Sequence, residues 1–240
     1  MALLYVWQEV NEHVKIWDLP VRLFHWLLVI TIAAAYITNS LGINYFKYHA
    51  WCGYAVIVLV VFRIVWGFVG TYHAKFSSFI RNPVTTFKYS ISYFKRHSSH
   101  YAGHNPLGAV MVVIFLVTLF AQAVTGLFSN DEIFNVGPLY NYVSAELSLQ
   151  LTSLHRQLFY WIMGAVVLHV LAVLIHVFFK RENIIKSMIT GNKPRSFYSE
   201  VRPLKSSRVW LALLIIILVA AGLAWIIFQA PEPIMDVGYE

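Results

Sequence analysis

Three histidines on one uncharged stretch, His155, His169 and His176, are the side chains best placed to do chemistry in this sequence. They lie in LHRQLFYWIMGAVVLHVLAVLIHVFF, Leu154 to Phe179, which carries no Lys, Arg, Asp or Glu from Gln157 onward and is long enough to cross a bilayer. Fourteen residues separate His155 from His169. In an α-helix that is nearly four whole turns, a residual rotation of roughly 40° and a rise of about 21 Å. The two imidazoles therefore face the same neighbours at two depths, and His176, seven residues beyond His169, shares the face. Ionisable groups inside a membrane span are rare and usually functional. One such histidine is most simply a hydrogen-bonding group between helices. Several in register, with matching histidines on two other spans, point instead to iron ligation. A neutral imidazole is a strong axial ligand that brings no net charge into lipid, and two haems at two depths would need four of them.

The elements that must position these residues are membrane helices. The 240 residues are 59% hydrophobic, 16% aromatic and 12% charged, with a mean hydropathy of +0.63, which argues against a soluble domain. One cysteine, Cys52, excludes an internal disulfide and a CxxCH haem attachment and reads as a small core residue. Glu9 and Glu12 interrupt the N-terminal apolar run, so no cleavable signal peptide is expected and the first span is the insertion signal. Spans are expected at Leu23 to Phe46, His49 to Val69, Leu107 to Phe128 behind an Asn105–Pro106 cap, Leu154 to Phe179, and Val209 to Ala230.

Loop charge sets the expected orientation. Gly70 to Pro106 holds five basic residues, Lys75, Arg81, Lys88, Lys95 and Arg96, and Lys180 to Arg208 holds eight against two acids. Ser129 to Leu154 has Asp131, Glu132 and Glu146 with no Lys or Arg. The N-terminus and both basic loops are thus expected in the cytoplasm, with the acidic loop and C-terminus periplasmic, in a multi-pass protein of the bacterial inner membrane. The net charge of +7 suits anionic lipid rather than nucleic acid. Val84, Phe87, Ile91 and Phe94 recur at helical spacing beside Lys88 and Lys95, which suits either an interfacial helix or a solvated loop.

With that orientation the histidines sort by depth: His49 with His155 for an outer haem, His25 with His169 for an inner one. Gly53 and Gly164 would let a porphyrin approach the backbone, or serve helix packing. Arg63, fourteen residues beyond His49, and Arg22, three before His25, could each pair with an inner haem propionate, while Arg22 could equally snorkel to headgroups. His176, just before Lys180 and Arg181, is the expected acid/base group of a quinone site, with His104 as a second wall; an interhelical hydrogen bond or a propionate contact is the plainer use of His176. His13, His73, His97 and His100 read as surface residues.

These residues resemble the bacterial di-haem cytochrome b561 group, which includes the b-type cytochrome subunits of membrane-bound nickel-iron hydrogenases. The resemblance rests on RLFHW at Arg22 to Trp26, His49 followed by Gly53 and Tyr54, GHNPL at Gly103 to Leu107, and the His155/His169 pair, and it covers roughly Trp17 to Lys193. It implies that the four matching histidines are haem ligands and that the protein passes electrons between quinone and a partner protein. The expected architecture is an all-α membrane bundle: a di-haem domain over residues 1–193, then a linker, a fifth span and an acidic tail over 194–240. The fifth span and tail depart from the group. The expected activity is electron transfer between the quinone pool and a periplasmic cytochrome c, hydrogenase or other dehydrogenase subunit, with two haem b as cofactors. Two alternatives stand beside it: an enzyme oxidising superoxide and reducing quinone, for which the acidic outer loops lack a cationic funnel, and a membrane anchor with structural haems, which a co-purifying large subunit would reveal.

Overall fold

The computed structural model describes residues 13–92, 101–133, 135–195 and 202–231. The expectations resting on Glu9 and Glu12, on Phe94, Lys95 and Arg96, on His97 and His100, and on the acidic tail lie outside the described residues. The described chain is all-α apart from one small sheet. Its helices are α1 (Leu19–Ser40), α2 (Phe46–Val69), α3 (Phe76–Phe79), α4 (Pro83–Ser92), α5 (Pro106–Leu127), α6 (Ala145–Phe178), α7 (Ile184–Thr190) and α8 (Val209–Phe228). Five of them, α1, α2, α5, α6 and α8, are long and apolar enough to cross a membrane. Their outer faces carry the large apolar side chains that lipid would cover, among them Trp161, Trp210 and Phe228. The protein is an integral membrane helical bundle.

The spans start and stop where side chains satisfy their ends. Asp18 caps α1, its Oδ1 accepting from Val21 N–H at 2.7 Å, so the helix opens four residues before the uncharged run at Leu23. It ends at Ser40, short of the expected Phe46, because Gly42 turns the chain at φ 97°. Asn105 caps α5 as expected, accepting from Gly108 N–H at 2.7 Å. The fourth span begins well before Leu154. Ser144 Oγ accepts from Leu147 N–H at 3.2 Å, and Ser148 and Thr152 bury their hydroxyls, so polar early turns extend α6 to 34 residues. Counting only uncharged residues overlooked them.

The chain divides into two compact units, and each long helix gives one stretch to each. The first comprises Met1–Trp26, Arg63–Phe115 and Ala165–Leu213. Its core is Ile16, Trp17, Val21, Trp66 and Phe79. Strands β1 (His13–Lys15) and β2 (Asn192–Pro194) pair antiparallel there, with Val14 opposite Lys193. Beneath them Lys193 Nζ and Glu182 Oε1 form a buried ion pair at 2.9 Å. The second unit comprises Leu27–Phe62, Leu116–Gly164 and Leu214–Glu240, with Val60, Phe62, Leu119 and Ile162 at its centre.

Of the two alternatives for the basic loop, the structure shows a helix: α4 leaves Val84, Phe87 and Ile91 each more than 60% exposed on one stripe. Two expectations need correction. His73 is buried at 6% exposure rather than surface, because its ring sits under the linker to α8 and donates to the Arg202 carbonyl at 2.8 Å. Cys52 is only half-buried and lines an open groove of about 600 Å³ with Thr31, Thr38, Tyr48 and Trp51, rather than packing in a core.

Candidate haem sites and their surroundings

In the second unit, α2 and α6 bring His49 and His155 together edge-on, with ring centroids 6.1 Å apart and ring planes at 82°. In the first, α1 and α6 do the same for His25 and His169, at 6.4 Å and 55°. A metal–imidazole bond is about 2 Å, and the ring centre lies about 1 Å beyond its nitrogen. Two imidazoles on opposite sides of one metal ion therefore have centroids about 6 Å apart. Both pairs have that spacing, and an imidazole-only donor set is one that haem iron accepts.

The two pairs are prepared differently. His49 Nδ1–H donates to the Ala35 carbonyl at 2.9 Å, and His155 Nδ1–H to the Gln122 carbonyl at 2.8 Å. A carbonyl can only accept, so Nδ1 carries the proton in both and Nε2 keeps its lone pair. Thr125 Oγ1 stands 3.3 Å from His155 Nδ1. One contact competes: the Gln122 carboxamide donates to His155 Nε2 at 3.1 Å, and it would have to swing away to release that lone pair. His25 Nδ1 is buried without a hydrogen-bond partner among the described residues. His25 packs instead on the edge of Trp26, centroids 5.0 Å apart, and His169 on Phe115 at 5.7 Å.

The glycines divide. A Cβ at Gly53 or Gly164 would meet nothing within 4 Å, the open space a flat macrocycle would use. At Gly126 it would lie 3.0 Å from His155 Cε1, so this glycine, which the sequence pattern did not single out, sets the position of a histidine.

The first unit also buries charge. Arg63 is 2% exposed; its guanidinium lies 5.4 Å from the Phe76 ring centre, and both terminal nitrogens are buried without a hydrogen bond. Asp18 Oδ2 accepts from Trp66 Nε1 at 3.1 Å and from the Thr71 hydroxyl. Arg22, expected at a propionate or in headgroups, donates through Nη1 to the Ile189 carbonyl, while its Nε is buried without a partner. His104 packs between Trp17 and Phe79, centroids 4.7 and 4.6 Å away. Burial pushes its pKa down to about 3, helped by Arg63, Lys193, His73 and His25. Burial also lowers that of His73. His176 donates Nδ1–H to Ala172 O at 3.0 Å and accepts from Asn105 Nδ2 at 3.3 Å, so the interhelical bond is present.

A membrane bundle that brings imidazoles from different helices together in pairs offers the donor set of one class, the transmembrane b-type cytochromes. Within that class the profile described as prokaryotic cytochrome b561 matches residues 16–191, and the chain belongs to that family. It is accordingly a membrane electron-transport protein with b-type haem. Curated relatives agree. The chain is 25% identical over 217 residues to a probable Ni/Fe-hydrogenase 1 B-type cytochrome subunit of Escherichia coli, an alignment covering 76% of this chain and 91% of the relative. It is 23% identical over 218 residues to a probable Ni/Fe-hydrogenase B-type cytochrome subunit of Rhizobium leguminosarum, covering 76% and 90%. No solved structure matches the chain significantly.

Proposed function

We propose that this cytochrome holds two haems, one between His49 and His155 and one between His25 and His169, and carries electrons between an external redox protein and the quinone pool. The observation that supports this most directly is the common spacing of the two imidazole pairs. Haem iron supplies a one-electron ferric/ferrous couple. With two imidazoles on each iron no position is left open, which favours electron transfer over oxygen chemistry. Gly53 and Gly164 leave room for the macrocycle. Arg63, with its two unpartnered terminal nitrogens, would take a propionate of the inner haem, and Arg22 Nε is a second donor.

The quinone is assigned to the end of α6 at His176, with Asn105 and His104 beside it. Asn105 Nδ2 already aims a donor at the His176 ring and could serve a quinone carbonyl instead. Quinone reduction takes two electrons and two protons, and His176 is the group suited to move the protons. The names of the relatives favour a hydrogenase or other dehydrogenase subunit as the external partner over a free cytochrome c. The orientation follows loop charge, with the N-terminus cytoplasmic and the C-terminus periplasmic in the inner membrane.

Single replacement of any of the four histidines by Ala should remove one haem and leave the other. Two low-spin haems surviving all four substitutions would overturn the assignment. His176→Gln should keep both haems and slow quinol-driven haem reduction at least several-fold. Unchanged kinetics across a quinol titration would move the quinone elsewhere.

A further inference from the structure

The open groove that Cys52 lines has no part in the proposed electron transfer, and both its length and its rim match a lipid. We propose that it binds one anionic phospholipid, with an acyl chain lying along α1 and α2 and the phosphate held at Lys47. The proposal is independent of the number of haems the chain holds.

The groove, of about 600 Å³, lies within the second unit between α1 and α2. On α1 its wall runs from Ile30 to Leu41, which is about 16 Å of helix. Half of a bilayer's hydrocarbon core is about 15 Å thick. The groove is therefore as long as one leaflet is deep. Small side chains, Ala34 on α1 and Ala55 on α2, line it. The Thr38 hydroxyl is already spent on the Ala34 and Ala35 carbonyls, at 2.7 and 3.1 Å, so it asks nothing of a ligand. What remains is an apolar trough suited to a hydrocarbon chain.

Charge and aromatic rings meet at one rim. Tyr48 and Trp51 line the groove there and pack edge to face, centroids 5.6 Å apart. Lys47 Nζ stands 4.9 Å from the centre of the Trp51 ring. Tyr and Trp collect at the headgroup level of a membrane, where a lysine ammonium meets lipid phosphate. Lys47 makes no ion pair among the described residues, so its charge is free to be neutralised by a ligand. None of the acids of the second unit, Asp131, Glu132 and Glu146, lines the groove. A second copy of the chain packed here about a two-fold axis along the membrane normal would instead set two such ammonium groups at one depth of a shared interface.

The test is native mass spectrometry of the purified protein in mild detergent, offered equal amounts of dioleoylphosphatidylglycerol and dioleoylphosphatidylcholine. One phosphatidylglycerol should be retained about five-fold more than phosphatidylcholine, the preference one ammonium gives at an anionic headgroup. Lys47→Gln should bring the ratio near one with haem content and helical circular dichroism unchanged, and Ala34→Phe, which fills the trough, should weaken retention of both lipids. Cys52, the single cysteine, reports on the groove itself. Its alkylation by N-ethylmaleimide should slow several-fold when one or two equivalents of phosphatidylglycerol are added, and should not slow in Lys47→Gln. If Ala34→Phe fails to fold, the parent and Lys47→Gln decide the matter. Equal retention of the two lipids by the parent, or a preference that survives Lys47→Gln, overturns the proposal. So does phosphatidylglycerol that stays bound while Cys52 reacts at its lipid-free rate. A dimer whose Cys52 is protected before any lipid is added gives the groove to a second copy and overturns it as well.

Discussion

His155 is held by one turn of α5: the Gln122 carbonyl takes its Nδ1 proton, Thr125 lies beside it, and Gly126 leaves space for its ring. A side chain at Gly126 must push that ring, since the nearest approach of even a Cβ is 3.0 Å. Gly126→Val should therefore lower occupancy of the His49/His155 site by about half or more, with the His25/His169 site unaffected, as counted by haem extraction and by the low-spin signals. His104 gives a different expectation. Its folded pKa of about 3 lies below the ordinary 6.5, so the unfolded chain binds a proton that the folded chain refuses. The stability it contributes is complete above about pH 6.5 and is lost as pH falls toward 3. His73 acts in the same direction. Thermal midpoints measured in detergent should fall over that window, and His104→Phe should make the fall shallower.

Among the elements, the first unit is closed by short pieces around buried charge rather than by apolar packing alone. The turn from α7 into β2 passes Gly191 at φ 85°, where Asn183 caps one end of α7 and Gly191 ends the other. Lys193 then points inward to Glu182 at 2.9 Å and toward the Tyr101 carbonyl at 3.4 Å. Removing one member leaves the other charge buried without its counterion. Glu182→Gln should cost about 3 kcal/mol or more of stability. The double change Glu182→Leu with Lys193→Met should recover much of it. Denaturation of the two variants side by side checks the comparison; equal loss in both would mean that the ion pair is not what holds the turn.

For the whole molecule the added element is α8, which lies beyond the family match at residues 16–191. Its linker is fastened to the first unit: Leu204 N–H donates to Lys15 O at 2.9 Å, Leu19 N–H to Ser207 Oγ at 3.3 Å, and Arg208 to the Val69 carbonyl at 3.2 Å. At its other end Tyr142 OH donates to Gln229 O at 3.2 Å in the second unit. None of these contacts involves an imidazole of the two pairs. A chain ending at residue 201 should keep both haems in proportions near those of the full protein and lose thermal stability. Loss of either haem on truncation would show that the di-haem domain does not end near residue 193. A C-terminal alkaline phosphatase fusion should be active, as an external C-terminus requires.

What the sequence determined by itself was periodic and additive. Apolar runs long enough to cross a membrane mark the five spans, though not their exact ends, and the fourteen-residue step from His155 to His169 places two imidazoles on one helix face without any tertiary information. The cap at Asn105 is legible for the same reason, because it is a local hydrogen bond between near neighbours. Contacts between residues far apart in the chain could not be read this way. The burial of His73 depends on where the linker near Arg202 crosses, and the lone turn of α5 around His155 depends on how two helices are rotated against each other. The unequal surroundings of the two imidazole pairs are likewise a tertiary matter. His25, His49, His155 and His169 are the same residue in the sequence. Which Nδ1 finds a backbone carbonyl, and which pair shares its unit with a buried Arg63, is decided only when the helices pack.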